Sequence, residues 1–208
     1  MLWMVDNIKS VVNLIIETAI MSIYCIDSVI SKLRTRIVFQ NNNERLMGYF
    51  IFNDNDGNFL QYIKLAGVPQ KDIKQDVLDT CDYLKGNIDI PIFSQRFVNL
   101  MGPILENEVS FYQIDIYNNN SHNTFYLTRI LRYMDFIDYE KTAHAINKDR
   151  ENGVFFSSPI VFKTNLTPFL IARDINEPFR WFISEDFKLS CIKNKLKIKF
   201  TNLEINNK

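Results

Sequence analysis

Histidine, cysteine and glycine are scarce in this chain, and each scarcity closes off a chemistry. Of 208 residues, two are His, three are Cys and six are Gly. His122 lies in a polar turn and His144 in a loop or short helix, so a histidine-based metal site or a Ser-His-Asp relay would have to use one of them. Histidines in such loops read as solvent-facing. Cys25, Cys81 and Cys191 are odd in number, widely spaced and without a C-x-x-C, which argues against a disulfide framework or a zinc site and for reduced, buried thiols. No G-x-G-x-x-G, phosphate-binding Walker loop or nucleophile elbow occurs, so nucleotide and hydrolase readings have no anchor. Charge of one sign is also missing. Lys plus Arg and Asp plus Glu both number 24, so no global field draws the chain to nucleic acid or to an anionic membrane. The apolar stretch from Ile8 to Ile26 is broken by Asn13, Glu17 and Thr18 and lacks a small-residue cleavage site, so a core helix is expected there rather than a membrane span or signal. The expected compartment is the cytoplasm.

What the chain does have is apolar and aromatic mass. It is 47% hydrophobic, with 17 Phe and 9 Tyr, enough for one sizeable core and a single main domain. Aromatic side chains also favour contact surfaces, although most are expected inside. Ile8, Val11, Val12, Ile15, Ile16, Ala19, Ile20 and Ile23 repeat at three and four, as a helix buried on a wide face would, while Met21 to Ile26 would also fit a strand. Gly48 to Phe52 and Phe59 to Ile63 flank Asn53 to Asn58 and predict a hairpin. A calcium loop there fails, because Gly57 at the sixth position puts Phe52 at the first. Ile73, Val77, Cys81 and Leu84 predict a helix of about four turns ended by Gly86. Ser94 is placed to cap a helix carrying Phe97, Leu100 and Met101, with Gly102-Pro103 weakening or ending it. Val109 to Tyr117 and Phe125 to Tyr133 predict an antiparallel hairpin across Asn118 to Asn123. Val154 to Phe162 and Phe169 to Ile171 add edge or starting strands, Phe179 to Ile183 a short strand, Ser184 a helix cap, and Leu196 to Phe200 a last strand, with Phe125, Leu127, Phe179 and Phe200 expected to be buried on the sheet.

Several of these pieces, in this order, resemble one family. Pro91 to Phe97 (Pro-Ile-Phe-Ser-Gln-Arg-Phe), Val109 to Tyr112, Phe125 to Leu131, Asp135 to Asp138, Pro178 to Arg180, Ile183 to Glu185 and Ile198 to Phe200 are similar to a bacterial polymorphic-toxin immunity family. The similarity covers about the last 120 residues. The family pattern has a Gly before its final strand where this chain carries Lys197 or its neighbours, and the interval from Arg180 to Ser184 is short. The resemblance implies a protein that binds and silences a partner, a cognate protein toxin, and is not an enzyme. It implies no cofactor and no metal.

The candidate partner-binding residues are Asp135, Asp138 and Glu140, with Lys141 beside them. Carboxylates three apart could share a metal or act as acid and base, could enter a basic groove on a toxin, or could cap backbone amides where the strand ends. The family carries these two Asp without known metal chemistry. Arg180, which the family pattern also places, could pair as a buried ion pair with Asp138 or Asp135, or stand in water at an edge. Lys193, Lys195, Lys197 and Lys199 read as a solvated edge guarded against aggregation, with a binding stripe as the alternative. The fold expected is α+β, an antiparallel sheet with flanking helices, divided into an N-terminal helical extension at 1–34 and one immunity-like domain with a single core at 35–208. An uncharacterised small enzyme, marked by a concave pocket with converging titratable groups, and a regulatory interaction module are the alternatives.

Overall fold

The computed structural model describes residues 22–29, 36–54, 56–71, 73–119, 121–144 and 160–203. Its elements run β1 (Ile23–Asp27), β2 (Ile37–Phe39), α1 (Asn43–Phe50), β3 (Ala66–Pro69), α2 (Gln75–Leu78), β4 (Tyr83–Lys85), β5 (Pro91–Ser94), α3 (Gln95–Leu105), β6 (Val109–Asn118), β7 (Ser121–Ile130), β8 (Tyr133–Met134), β9 (Ile171–Asp174), β10 (Trp181–Ser184), α4 (Glu185–Lys193) and β11 (Lys199–Asn202). The α+β class holds, but the strands form two mixed sheets. One has the order β11-β1-β10-β9-β8 and the other β2-β3-β6-β7-β5-β4. The pairs β3 with β6 and β8 with β9 are parallel, which corrects the expectation of a purely antiparallel sheet. Long connections between the paired strands make this possible, since only a tight hairpin forces antiparallel pairing.

The six-stranded sheet curls until its ends meet. Ile37 in β2 bridges Gly86 just beyond β4, and the Asn87 amide donates to the Ile37 carbonyl at 2.8 Å. This seam removes the two edges as a barrel does. Ile37, Phe39, Leu46, Phe50, Ile92, Ile114, Ile116, Phe125 and Leu127 fill the inside. Strands β4 and β5 lie between two cores because successive side chains alternate faces. Leu84 and Ile92 enter the barrel, whereas Tyr83 and Phe93 join Phe97, Met101, Ile183 and Phe187 beneath the five-stranded sheet. The outer face of that sheet buries Ile23, Phe136, Phe169, Ala172 and Phe182.

The hairpin predicted over residues 48–63 is instead helix α1 followed by one 3₁₀ turn, Asn58–Gln61. Asn42 caps α1 by accepting the Arg45 amide at 3.0 Å, and Leu46, Tyr49 and Phe50 recur at helical spacing on the buried side. Burial of that face outweighs the β-propensity of the aromatic run. The four-turn helix expected from Ile73 shrinks to α2, and Tyr83 and Leu84 pass into β4. Both are buried on opposite sides, which a strand between two cores permits and a one-faced helix does not. Helix α3 starts on Ser94, whose Oγ accepts the Phe97 amide at 3.0 Å, and runs through Pro103 to the buried Leu105. The proline leaves the carbonyl of the exposed Asn99 without its helical donor, a loss that water can offset, and burial of Met101 and Leu105 carries the helix past it.

The hairpin of β6 and β7 is present with ten pairs from Val109–Ile130 to Asn118–Ser121, so its turn is tighter than Asn118 to Asn123. Ser184 caps α4 through the Phe187 amide at 3.3 Å. The last strand begins at Lys199, while Leu196 and Ile198 are buried and Lys193, Lys195, Lys197 and Lys199 are exposed. Within the stretch 1–34 assigned to a helical extension, Ile23–Asp27 is a strand between β10 and β11. The helix expected from Ile8 lies outside the described residues, as does most of the strand expected from Val154, whose end at Phe162 bridges Ile137. No helix among the described residues is long and apolar enough to cross a membrane.

Candidate partner-binding surface

Strand β9, Ile-Ala-Arg-Asp, is buried at all four positions, and two of them carry charge. Arg173 and Asp174 point to opposite sides of the strand by its alternation, and both work on the loop that follows. Arg173 Nη1 donates to the Pro178 carbonyl at 2.7 Å and Nη2 to the Asp89 carbonyl at 3.0 Å, tying the loop to the barrel. Burial pulls its guanidinium down to about 10, so it remains a cation at neutral pH. Asp174 Oδ1 accepts the amides of Asn176 at 2.9 Å and Glu177 at 2.8 Å and the Tyr139 hydroxyl at 3.1 Å, and Oδ2 accepts the Phe136 amide at 3.1 Å. Desolvation and then this carboxylate push the Tyr139 phenol up to about 12. The Arg180 carbonyl accepts the Asp174 amide at 3.0 Å, closing loop 175–180 at its base. Two buried charges therefore hold a short exposed loop in one shape.

The acidic residues singled out from sequence stand beside this loop. Asp135 pairs with Lys163 and accepts from Asn176 Nδ2 at 3.3 Å. Asp138 accepts the Lys141 amide at 3.0 Å and its ammonium at 2.8 Å, capping the helical turns at 139–144. Lys141 holds the Asp138 carboxyl below its ordinary range. Glu140 is exposed and makes no ion pair among the described residues. The pairing expected between Arg180 and Asp138 is not made. Arg180 is exposed and bonds Glu177 in its own turn, while Asp138 is occupied by Lys141. The buried arginine of this region is Arg173, and the buried carboxylate is Asp174.

Beside the paired charges lie apolar side chains in water. Ile175 is 56% exposed, Phe179 43%, Tyr139 38% and Phe52 50%. Phe125 and Leu127 are buried as the sequence led one to expect and Phe200 is half-buried, but Phe179 is not part of the core. It meets Phe52 edge to face, with ring centroids 5.1 Å apart, so the loop of the five-stranded sheet touches the exit of α1. Neither Phe52 nor Asp174 stood out in the sequence. The run Asp174-Ile175-Asn176-Glu177-Pro178 does carry a local turn signal, an Asx side chain ahead of a proline.

A cleft of about 400 Å³ opens elsewhere, lined by Asp79, Asp82, Arg96, Asn123 and Lys197. Its carboxylates are engaged: Asp82 accepts from Ser94 Oγ and the Lys197 amide, both at 2.7 Å, and Asp79 Oδ1 accepts from Gln75 and Asn123, both at 2.8 Å. Burial pushes the nearby Cys81 thiol up to about 12, so it carries no thiolate. Among the described residues no three His, Cys, Asp or Glu stand together as a ligand set.

Neither a curated protein nor a solved structure matches this chain. A family model does, from Asp27 to the end of the last strand, spanning both sheets, and by that match over residues 27–204 the chain belongs to the immunity protein family Imm11.

Proposed function

We propose that this protein is an antitoxin: it binds a cognate polymorphic toxin made by the same cell and silences it by covering the toxin's active site or substrate groove, without turning over a substrate. The observation that carries the reading is the family match over 27–204. The engaged carboxylates of the cleft and the protonated Cys81 agree with a binding protein, since no nucleophile and base converge there. Asp135, Asp138 and Glu140 lie on the partner-facing side in this reading, with the first two serving also as rim charges matched by Lys163 and Lys141. Complexes of this kind bury on the order of 1,600 Å². The partner is a protein, with no nucleic acid or membrane involved, and the complex forms in the cytoplasm. Expression of a candidate toxin from the same locus, with and without this chain, tests the reading. Growth is restored only when the chain is present. Killing that continues at full rate despite soluble, folded protein contradicts it.

A further inference from the structure

We infer that the energetic centre of the toxin contact is the apolar group Phe52, Phe179 and Ile175 on and beside loop 175–180, and that it enters an apolar pocket on the toxin rather than a basic groove. The inference rests on the antitoxin reading above. Three observations favour an apolar partner surface. First, the carboxylates around the loop are already matched: Asp135 by Lys163, Asp138 by Lys141 and Glu177 by Arg180, leaving Glu140 unmatched among the described residues. A surface so balanced offers little net field to a basic groove. Second, the two rings that touch across the loop and the α1 exit are each about half exposed, 50% and 43%, although aromatic side chains gain most when fully covered. Two exposed aromatic rings in contact, with the Glu177–Arg180 pair on the same loop, have the layout of an interface centre with polar groups beside it. Third, the loop is fixed in advance. Arg173 holds the Pro178 carbonyl and Asp174 holds the Asn176 and Glu177 amides, so little ordering is left to oppose binding.

The partner is thus a toxin face with a pocket sized for one or two aromatic rings and a margin of hydrogen-bonding groups. The test uses the full chain and the purified domain of a candidate toxin from the same locus, inactivated for handling. Binding is measured by titration calorimetry for the unaltered protein, for Phe52→Ala with Phe179→Ala, and for Ile175→Lys, with thermal melts as the folding check. The expected result is that both variants melt like the parent and bind at least ~100-fold more weakly. For the parent, raising salt from about 50 to about 500 mM changes affinity less than about threefold, because little of it is long-range charge attraction. If the double variant does not fold, Ile175→Lys decides, since it leaves the Phe52–Phe179 pair in place. Parent-like binding by a folded Ile175→Lys, or by the folded double variant, overturns the inference while leaving the antitoxin reading intact, and so does a steep loss of parent affinity with salt. No binding by the unaltered protein removes the antitoxin reading itself.

Discussion

Asp82 and Lys197 meet across 115 positions of chain, the aspartate Oδ2 accepting the lysine amide at 2.7 Å. The same carboxylate accepts the Ser94 hydroxyl at 2.7 Å and faces Arg96 at 3.4 Å, and Arg96 reaches on to the carbonyls of Asn194 and Lys195 at the end of α4. One buried side chain thereby fastens the barrel, the start of α3 and the approach to β11. Asp82→Asn keeps the shape but exchanges an acceptor oxygen for a donor, which leaves a buried amide or hydroxyl unanswered. It is expected to cost ~2–4 kcal/mol in urea unfolding with the slope unchanged. A loss under about 0.5 kcal/mol would mean that the lashing is replaceable by solvent.

Asp174→Asn should act locally as well as globally. It weakens four accepted hydrogen bonds, three of which shape loop 175–180 or its contact with Tyr139. Amide hydrogen exchange at Asn176 and Glu177 should accelerate more than exchange in the distant β6–β7 hairpin. Equal acceleration in both places would show that the aspartate supports the whole fold and not the loop.

The barrel seam depends on two glycines. A Cβ on Gly67 would stand 2.6 Å from Ile37 Cγ2, and one on Gly86 2.8 Å from the Ile88 carbonyl and 2.9 Å from the Phe39 ring. Ile37 and Phe39 are buried and have no room to retreat. Gly67→Ala and Gly86→Ala are each expected to destabilise by ~1–3 kcal/mol. Gly102→Ala, in α3 with no atom beyond its chain neighbours nearer than 3.8 Å, should be close to neutral, because Pro103 restricts a preceding residue that carries a Cβ and offsets the gain in helix propensity. Thermal or urea unfolding of the three variants checks the contrast.

Burial raises all three thiols, Cys81 and Cys191 to about 12 and Cys25 to a smaller extent. At pH 8 a thiol reagent should modify Cys25 first and leave the other two untouched until the chain is unfolded. Since Cys81 and Cys191 hold their protons in the folded state above the ordinary value of 9, their contribution is fully present below pH 9 and is lost as pH climbs toward about 12. The urea midpoint should accordingly be lower at pH 10 than at pH 8. Rapid labelling of Cys191 in the native protein would contradict the packing of α4.

Local signals carried much of this fold. Ser94 and Ser184 cap the helices that follow them, and the β6–β7 hairpin is spelled by alternation around an Asn-rich turn, where Asn119 takes a positive φ of 53°. Failures came where a distant contact outweighed a local preference. Gly48 to Phe52 reads as strand, but Tyr49 and Phe50 belong to a helix whose buried face closes the barrel, with the Tyr49 ring lying over Gly57. Of the proposed partner-binding surface, the sequence singles out only Asp135, Asp138 and Glu140. Arg173 and Asp174 escaped because burial of a charge depends on partners such as Asp89 and Phe136, far away in sequence. Phe179 reads as core from its place in a short apolar run, yet it is exposed because it lies on the loop that Asp174 and Arg173 hold.

An antitoxin that acts by binding silences its toxin stoichiometrically. A candidate toxin, purified and held at a concentration well above the expected dissociation constant, is titrated with this protein while its activity is followed. Activity is expected to fall linearly to zero with a break at one equivalent of chain per toxin. Activity that persists beyond several equivalents, or that vanishes at a small fraction of one equivalent as a catalytic inactivator would cause, contradicts it.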